Sequence, residues 1–254
     1  MKKLTLVLSA ATALISAPAL AADVGRAPPS APLIAPVPFF SWTGFYIGIQ
    51  GGSVFGDLDW NYATAGGVNL VPPVTANQLT SGWLIGGTAG ANFQTGSWVF
   101  GIEGDYAWAD VTGSAACPNL NFSCQSRLET FGTARGRVGW SWGPGMIYGT
   151  GGAAFGDQHI RTVNLAGVGV PPTGTTINGS SNFAVGWTAG AGMEFAFLGN
   201  WSAKVEALFF DLGTNNFTID SPADQSVNAS HSGVVVRGGV NYRFNWGGPV
   251  VARY

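Results

Sequence analysis

Charge is what this 254-residue chain has least of: Asp, Glu, Lys and Arg together make up 9% of it, against roughly 25% in an ordinary globular domain. That scarcity argues against a conventional solvated domain, because so little polar surface leaves a sheet protein insoluble unless lipid covers it. The competing reading of the composition is a glycine-rich secreted sandwich or lectin. No basic stripe or patch is present, and 11 cations against 13 acids exclude nucleic acid as a partner. Long apolar runs are missing beyond the first segment, so no transmembrane helix is predicted. Cysteine is nearly absent, with only Cys117 and Cys124. Neither has a nearby His or a C-x-x-C spacing, which argues against a metal site or a catalytic thiol. What the chain does hold is 39 Gly, 10 Trp and 16 Phe.

The first 21 residues read as a secretory signal. Lys2 and Lys3 form the positive end and Leu4 to Ile15 the apolar core. Ala19-Leu20-Ala21 is the small-x-small site, with cleavage predicted between Ala21 and Ala22. Losing the two lysines leaves 9 cations against 13 acids, a net charge of −4. Export places Cys117 and Cys124 in an oxidising compartment, where a short loop closed by a disulfide is expected. Residues 22–40 hold Pro28, Pro29, Pro32, Pro36 and Pro38, and read as an extended, flexible lead-in, since proline cannot donate to a sheet ladder.

The most telling stretch is Trp98 to Trp108, WVFGIEGDYAW. Alternate residues of a strand point to opposite faces. One face here is Trp98, Phe100, Ile102, Gly104, Tyr106 and Trp108. The other carries Glu103 and Asp105 among small residues. Aromatics at both ends of an apolar face suit the two lipid–water interfaces, and the length matches the roughly 9–11 residues of a spanning strand. Eight such segments are predicted: about Trp42–Phe55, Leu79–Gln94, Trp98–Ala109, Ser126–Trp142, Met146–Thr162, Asn182–Phe197, Trp201–Thr218 and His231–Asn245. Three connections are tight, at Gly96, Pro144 and Gly199. Four are long, around Asp57–Gln78, Asp110–Gln125, Val163–Ser181 and Ile219–Ser230. Short turns on one side and long loops on the other mark an outer-membrane barrel. The fold class is therefore all-β, an eight-stranded antiparallel up-and-down transmembrane barrel over residues 41–245, with a tail at 246–254. Phe93, Trp98, Trp142, Phe197, Trp201 and Phe244 gather at the turn ends as one periplasmic girdle. The Pro72-Pro73 and Pro171-Pro172 pairs mark loops, and the Gly-x-Gly patterns open no helix, so no phosphate loop is read into them.

Inward positions collect Glu103, Asp105, Glu129, Glu194 and Glu206 against Arg135, Arg137, Lys204, Arg237 and Arg243. Eight strands enclose a space that side chains fill, and an unpaired charge there would cost several kcal/mol. The balance predicts a lumen plugged by ion pairs, with a narrow porin-like channel as the alternative. Glu103 and Asp105 could suggest acid–base chemistry, but arginines on the following strand make them pairing partners, and no enzyme and no cofactor are expected. His159 and His231 fall near the outer ends of segments five and eight. With no orienting acid or elbow motif they do not suggest a hydrolase; loop-borne haem or ligand binding is the further alternative.

Four ordered motifs carry a family resemblance. Ser41-Trp42-Thr43-Gly44-Phe45-Tyr46-Ile47-Gly48, following the signal and the proline-rich lead-in, is similar to the small outer-membrane immunogenic proteins of alphaproteobacteria. So are Trp98-Val99-Phe100-Gly101-Ile102-Glu103-Gly104-Asp105-Tyr106, Thr133-Ala134-Arg135-Gly136-Arg137-Val138-Gly139 and the closing Val236-Arg237-Gly238-Gly239-Val240-Asn241-Tyr242-Arg243-Phe244. The resemblance covers about Ser41 to Phe244. It implies an eight-stranded barrel like the OmpA membrane domain, held in the outer membrane, with roles in envelope integrity and antigenicity and haem binding in some relatives. Its implied partners are outer-membrane lipid and lipopolysaccharide, and the barrel assembly machinery, which the aromatic-ended last strand would address. The chain departs from the commonest pattern by continuing from Asn245 to Tyr254.

Overall fold

Alternation of apolar and small or polar residues gives every strand one face for lipid and one for an interior. A computed structural model closes these strands into a single barrel, and describes residues 40–65, 68–116, 122–164, 173–174, 176–219 and 225–244. The strands are β1 (Gly44–Ala65), β2 (Val68–Thr95), β3 (Trp98–Ala116), β4 (Phe122–Trp142), β5 (Gly145–Asn164), β6 (Thr176–Leu198), β7 (Trp201–Ile219) and β8 (Gln225–Phe244). Each pairs antiparallel with its neighbours in sequence, and β1 pairs with β8 to close the ring. Following hydrogen-bonded partners once round from Gln94 returns to Leu84, ten residues further along β2. Eight strands staggered in this way tilt and enclose a space just wide enough for side chains. Among the described residues no helix is long and apolar enough to cross a membrane; the strands do the crossing.

The three tight connections take the expected form. Gly96, at φ 59°, and Gly199, at φ 53°, each occupy the first central position of a two-residue turn. A positive φ there gives the type II′ geometry that matches strand twist, and favours glycine. On the opposite side the expected long loops are mostly strand. β1 and β2 continue to Ala65 and Val68, and β3 runs to Ala116. The reason is that the inward pattern persists beyond the membrane: Leu58 and Trp60 are buried while Asp57 and Asp59 face out. Pro72 and Pro73 lie within β2 rather than in a loop, inside the register irregularity opposite Tyr62 and Thr64. There a proline forfeits no ladder hydrogen bond.

The exposed wall carries two aromatic bands. Phe93, Trp98, Trp140, Trp142, Trp201 and Phe244 lie at the turn end, and Phe55, Trp83, Trp108, Trp187 and Phe209 about ten residues further along their strands. Ten tilted residues rise by about 25 Å, the height of an outer-membrane apolar band. Leads and ends outside the described residues include the signal site at Ala21 and Ala22, the 22–39 lead-in, Pro171-Pro172, Cys117 and the 246–254 tail.

Candidate functional site

Reading each strand from its turn end gives a layered interior. On β7 Ser202, Lys204 and Glu206 are followed by Leu208, Phe210 and Leu212. On β4 Ser141, Arg137, Arg135 and Thr133 are followed by Phe131 and Leu128, all buried. The periplasmic half of the lumen is thus charged and the layer above it apolar, with Gln78, Thr80, Gln158 and His231 buried farther out.

Eight charged side chains form the lower layer. Arg237 donates from both terminal nitrogens to Asp105, each at 2.8 Å, and from Nε to Glu206 Oε1 at 2.6 Å. Arg135 reaches Glu103 Oε1 at 2.5 Å, Asp105 at 3.2 Å and Glu206 at 3.2 Å. Lys204 Nζ lies 2.9 Å from Glu103. Arg137 bridges Glu103, at 3.2 Å, and Glu194, at 2.8 Å. Four carboxylates meet four cations, so the charge cancels within the layer. All eight side chains are at most 4% exposed. Burial at this depth is tolerable only because each carboxylate has several donors.

Neutral groups complete the pairing. Tyr46 donates to Glu103 at 2.6 Å and Tyr148 to Glu206 at 3.1 Å. Ser202 and Asn241 donate to Glu194 at 2.6 and 3.0 Å, and Thr133 to Asp105 at 2.5 Å. The Arg137 guanidinium also stacks on the Tyr46 and Tyr148 rings. None of these five was named as a partner of the ion pairs from the sequence, although Tyr46, Thr133 and Asn241 stand in its motifs. Strand parity was the available signal, since Tyr46 and Tyr148 share the faces of Gln50 and Met146.

Room for long side chains in a narrow barrel comes from glycine. Arg237 is paired across strands with Gly52, Arg135 with Gly152, Arg137 with Gly101, Lys204 with Gly239, Glu206 with Gly192 and Glu103 with Gly90. A Cβ at Gly52 would run into the Val236 carbonyl and Arg237 itself.

Two of the ten candidate lumen residues fall elsewhere. Glu129 is not inside: its side chain is 47% exposed and lies beside Arg127 and His159 at 3.7 and 3.4 Å. The register shift between Leu128 and Gly132 reverses strand parity. Residues above it that match Arg135 in odd number therefore point outward. Arg243 faces in but joins no carboxylate among the described residues: it stacks on Phe40 and Trp42 and donates to the Ser41 carbonyl at 2.5 Å. Trp42, buried, donates its indole N–H to Gly143 at 3.3 Å, and its backbone N–H to Gln94 at 2.7 Å. Residues 40–42 thereby lie against Arg243 and the turn-end residues Gln94 and Gly143.

Above the charged layer Val54, Leu84, Leu128, Leu208 and Val235 surround Phe131 and Phe210, whose rings meet edge to face at 5.3 Å. His231 lies beyond this layer and beyond the extracellular aromatic band, 3.2 Å from Thr80 Oγ1 and packed on Phe210. Burial pushes its imidazole down to about 4. His159 projects from the outer wall instead, so the two histidines do not converge. Among the described residues no three His, Cys, Asp or Glu form a group able to hold a metal. Cys124 is buried, and its expected partner Cys117 is outside the described residues.

Comparison with known proteins agrees with this architecture. A family model for the outer membrane protein beta-barrel domain matches residues 7–244. The 31 kDa outer-membrane immunogenic protein of Brucella melitensis is 35% identical over 246 residues, covering 94% of this chain and 99% of the relative. The 22 kDa outer membrane protein of Rhizobium leguminosarum is 31% identical, over 74% of this chain and 72% of the relative. The crystal structure of OprG from Pseudomonas aeruginosa aligns with a TM-score of 0.47 at 12% identity, covering 82% of this chain and 99% of that one.

Proposed function

We propose that this chain, which belongs to the outer membrane protein beta-barrel domain family, is a closed structural and surface-displayed element of the outer membrane that neither conducts nor catalyses. Its outer-membrane location follows from the family and from relatives named as outer-membrane proteins. The observation that carries the closed reading is the stacking of two dissimilar fillings in one lumen. A neutralised layer of eight buried charges sits under an apolar layer headed by Phe131 and Phe210. An ion would have to break several charge-assisted contacts and then cross a dry segment. The relatives named as immunogenic favour display to the cell exterior, and the strands that extend past the membrane supply the surface. We further propose cleavage between Ala21 and Ala22 and a Cys117–Cys124 disulfide, both checked by the intact mass of protein isolated from membranes, before and after reduction.

Reconstitution into planar bilayers tests the main reading. Heat-modifiable, folded protein should give no conductance steps above the lipid background, and regular single-channel steps would overturn the closed lumen in favour of a narrow channel.

A further inference from the structure

We propose that the open seam between β6 and β7, above the extracellular aromatic band, takes an extended segment of a protein outside the cell as an added strand. The inference deepens the surface-display reading and rests on it.

β6 and β7 pair from their turn up to Trp187 and Asp211, at the level of that band. There the bulge between Asp211 and Thr214, with Gly213 at φ 67°, bends β7. Among the described residues the ladder between the two strands does not resume above it. β6 nevertheless stays paired with β5 up to Thr176, and β7 stays paired with β8 up to Ile219. Residues 176–186 and 212–219 therefore each turn a row of backbone N–H and C=O groups toward the seam, and such a row is a template for pairing. The β7 row is partly engaged at its foot, where Gly213 N–H donates to Asp211 at 2.8 Å and Asn215 donates to the Leu212 carbonyl at 3.3 Å. Among the described residues, positions 180–186 of β6 carry no comparable contact, so β6 is the better template.

Free strand edges are ordinarily blunted by proline, by charge or by shortness. The ladder between β2 and β3 also stops early, at Thr80 and Gly113, but its edges are blunted: β2 carries Pro72 and Pro73 beyond that point, and β3 has only three residues left, Ser114 to Ala116. Residues 176–186 and 212–219 hold neither a proline nor a charge. The outward side chains mark the same place. Above the band they are polar on the neighbouring walls, as with Asp57 and Asp59 on β1 and Arg127 and Glu129 on β4. On β6 they are Val185 and Phe183, 59% and 57% exposed, two and four residues beyond Trp187. Large apolar side chains held in water beside an unblunted edge mark an interaction surface.

The seam also selects its occupant. Donors and acceptors alternating at the strand repeat match another peptide backbone rather than a sugar or a headgroup. A second copy in the same membrane does not fit. Strands of both barrels tilt by roughly 35–45°, so edges related by a two-fold along the membrane normal cross at about 80° and cannot lie side by side. An extended guest segment meets no such limit. Its outer face needs apolar side chains beside Phe183 and Val185, and its inner face small polar ones beside Ser180 and Asn182, with no charge on either.

A dye-labelled peptide of alternating Thr and Val with a Lys at each end is the probe, titrated against full-length folded protein in detergent. The control is the same peptide with alternate backbone amides N-methylated, which keeps the side chains and removes the donors of one edge. Wild type should bind the first at least about tenfold more tightly than the second. Hydrogen exchange should show fast-exchanging amides within residues 180–186 of the free barrel that become protected with peptide. The Phe183→Lys/Val185→Lys double variant, which blunts the edge through exposed positions, should lose the binding while keeping heat-modifiable migration. Leu79→Lys, beside the other seam, should bind as wild type does. Equal binding of both peptides, undiminished binding by the double variant, or full protection of residues 180–186 in the free barrel overturns the proposal. Binding in detergent but none on intact cells would instead sink the surface-display reading and leave the edge assignment standing, so the two failures are separable.

Discussion

Glu103 and Glu129 are the same residue type on neighbouring strands, and their surroundings could hardly differ more. Glu103 sits among Arg135, Arg137, Lys204 and Tyr46, whereas Glu129 is half exposed beside Arg127 and His159. Removing one partner from a buried network leaves an uncompensated charge, which costs about 3–5 kcal/mol. Arg237→Met should therefore lower the stability of the folded, heat-modifiable form by that amount in a urea titration. It leaves Asp105 and Glu206 short of a cation. Glu129→Gln should shift the same titration by less than about 1 kcal/mol, as expected of an exposed pair. His231 adds a pH term. Its folded value, depressed to about 4 from 6.5, keeps it neutral in the barrel while the unfolded chain takes up a proton. Stability is thus fully present above about pH 6.5 and is lost as pH falls toward 4. His231→Gln should flatten that part of the profile when the two proteins are compared at fixed urea.

Strands impose a different constraint, the width of the lumen. Six of the eight network residues face a glycine across the ladder, so the charged layer depends on what its partners lack. Gly52→Leu should block formation of the folded band altogether, because the added side chain needs the space of Arg237 and the Val236 carbonyl. A glycine on the lipid side, such as Gly104, has only the Thr133 carbonyl, at 3.9 Å, near its missing Cβ, and Gly104→Ala should fold normally in the same gel assay. The segment before β1 is likewise tied in through Trp42. Trp42→Ala should destabilise the fold by about 3–5 kcal/mol, the usual cost of emptying a buried indole site. Strand-level legibility followed the same logic. Trp98–Trp108 could be read directly because its period-two pattern is unbroken, whereas β4 could not, because the shift between Leu128 and Gly132 changes which residues face inward.

At the scale of the whole molecule, a barrel of this size has two ways to deal with its interior, and this one uses both in sequence along the axis. Ion pairs fill the periplasmic half, and an apolar layer around Phe131 and Phe210 lies above them. Exchanging Phe131 and Phe210 for Ala opens the apolar layer without touching the charges, and the double variant should still fail to conduct in planar bilayers, since the charged layer remains. Adding Arg135→Ala to it should raise leak above background if the folded form survives, as checked on the same preparation by heat modifiability.

The sequence by itself determined the class of the molecule: eight alternating segments, three tight turns and a scarcity of charge leave an outer-membrane barrel as the solution that satisfies both backbone hydrogen bonds and lipid. It also determined that charges within the membrane-spanning stretch must point inward, because lipid faces the other side. What only the tertiary structure decided was which charge meets which. Asp105 and Arg237 lie 132 residues apart in sequence, on strands that never pair, and meet because closure and stagger bring opposite walls within reach of one side chain. No periodicity along a chain encodes a contact across a lumen, nor does it mark the bulge that turns Glu129 and Arg127 out to the membrane surface.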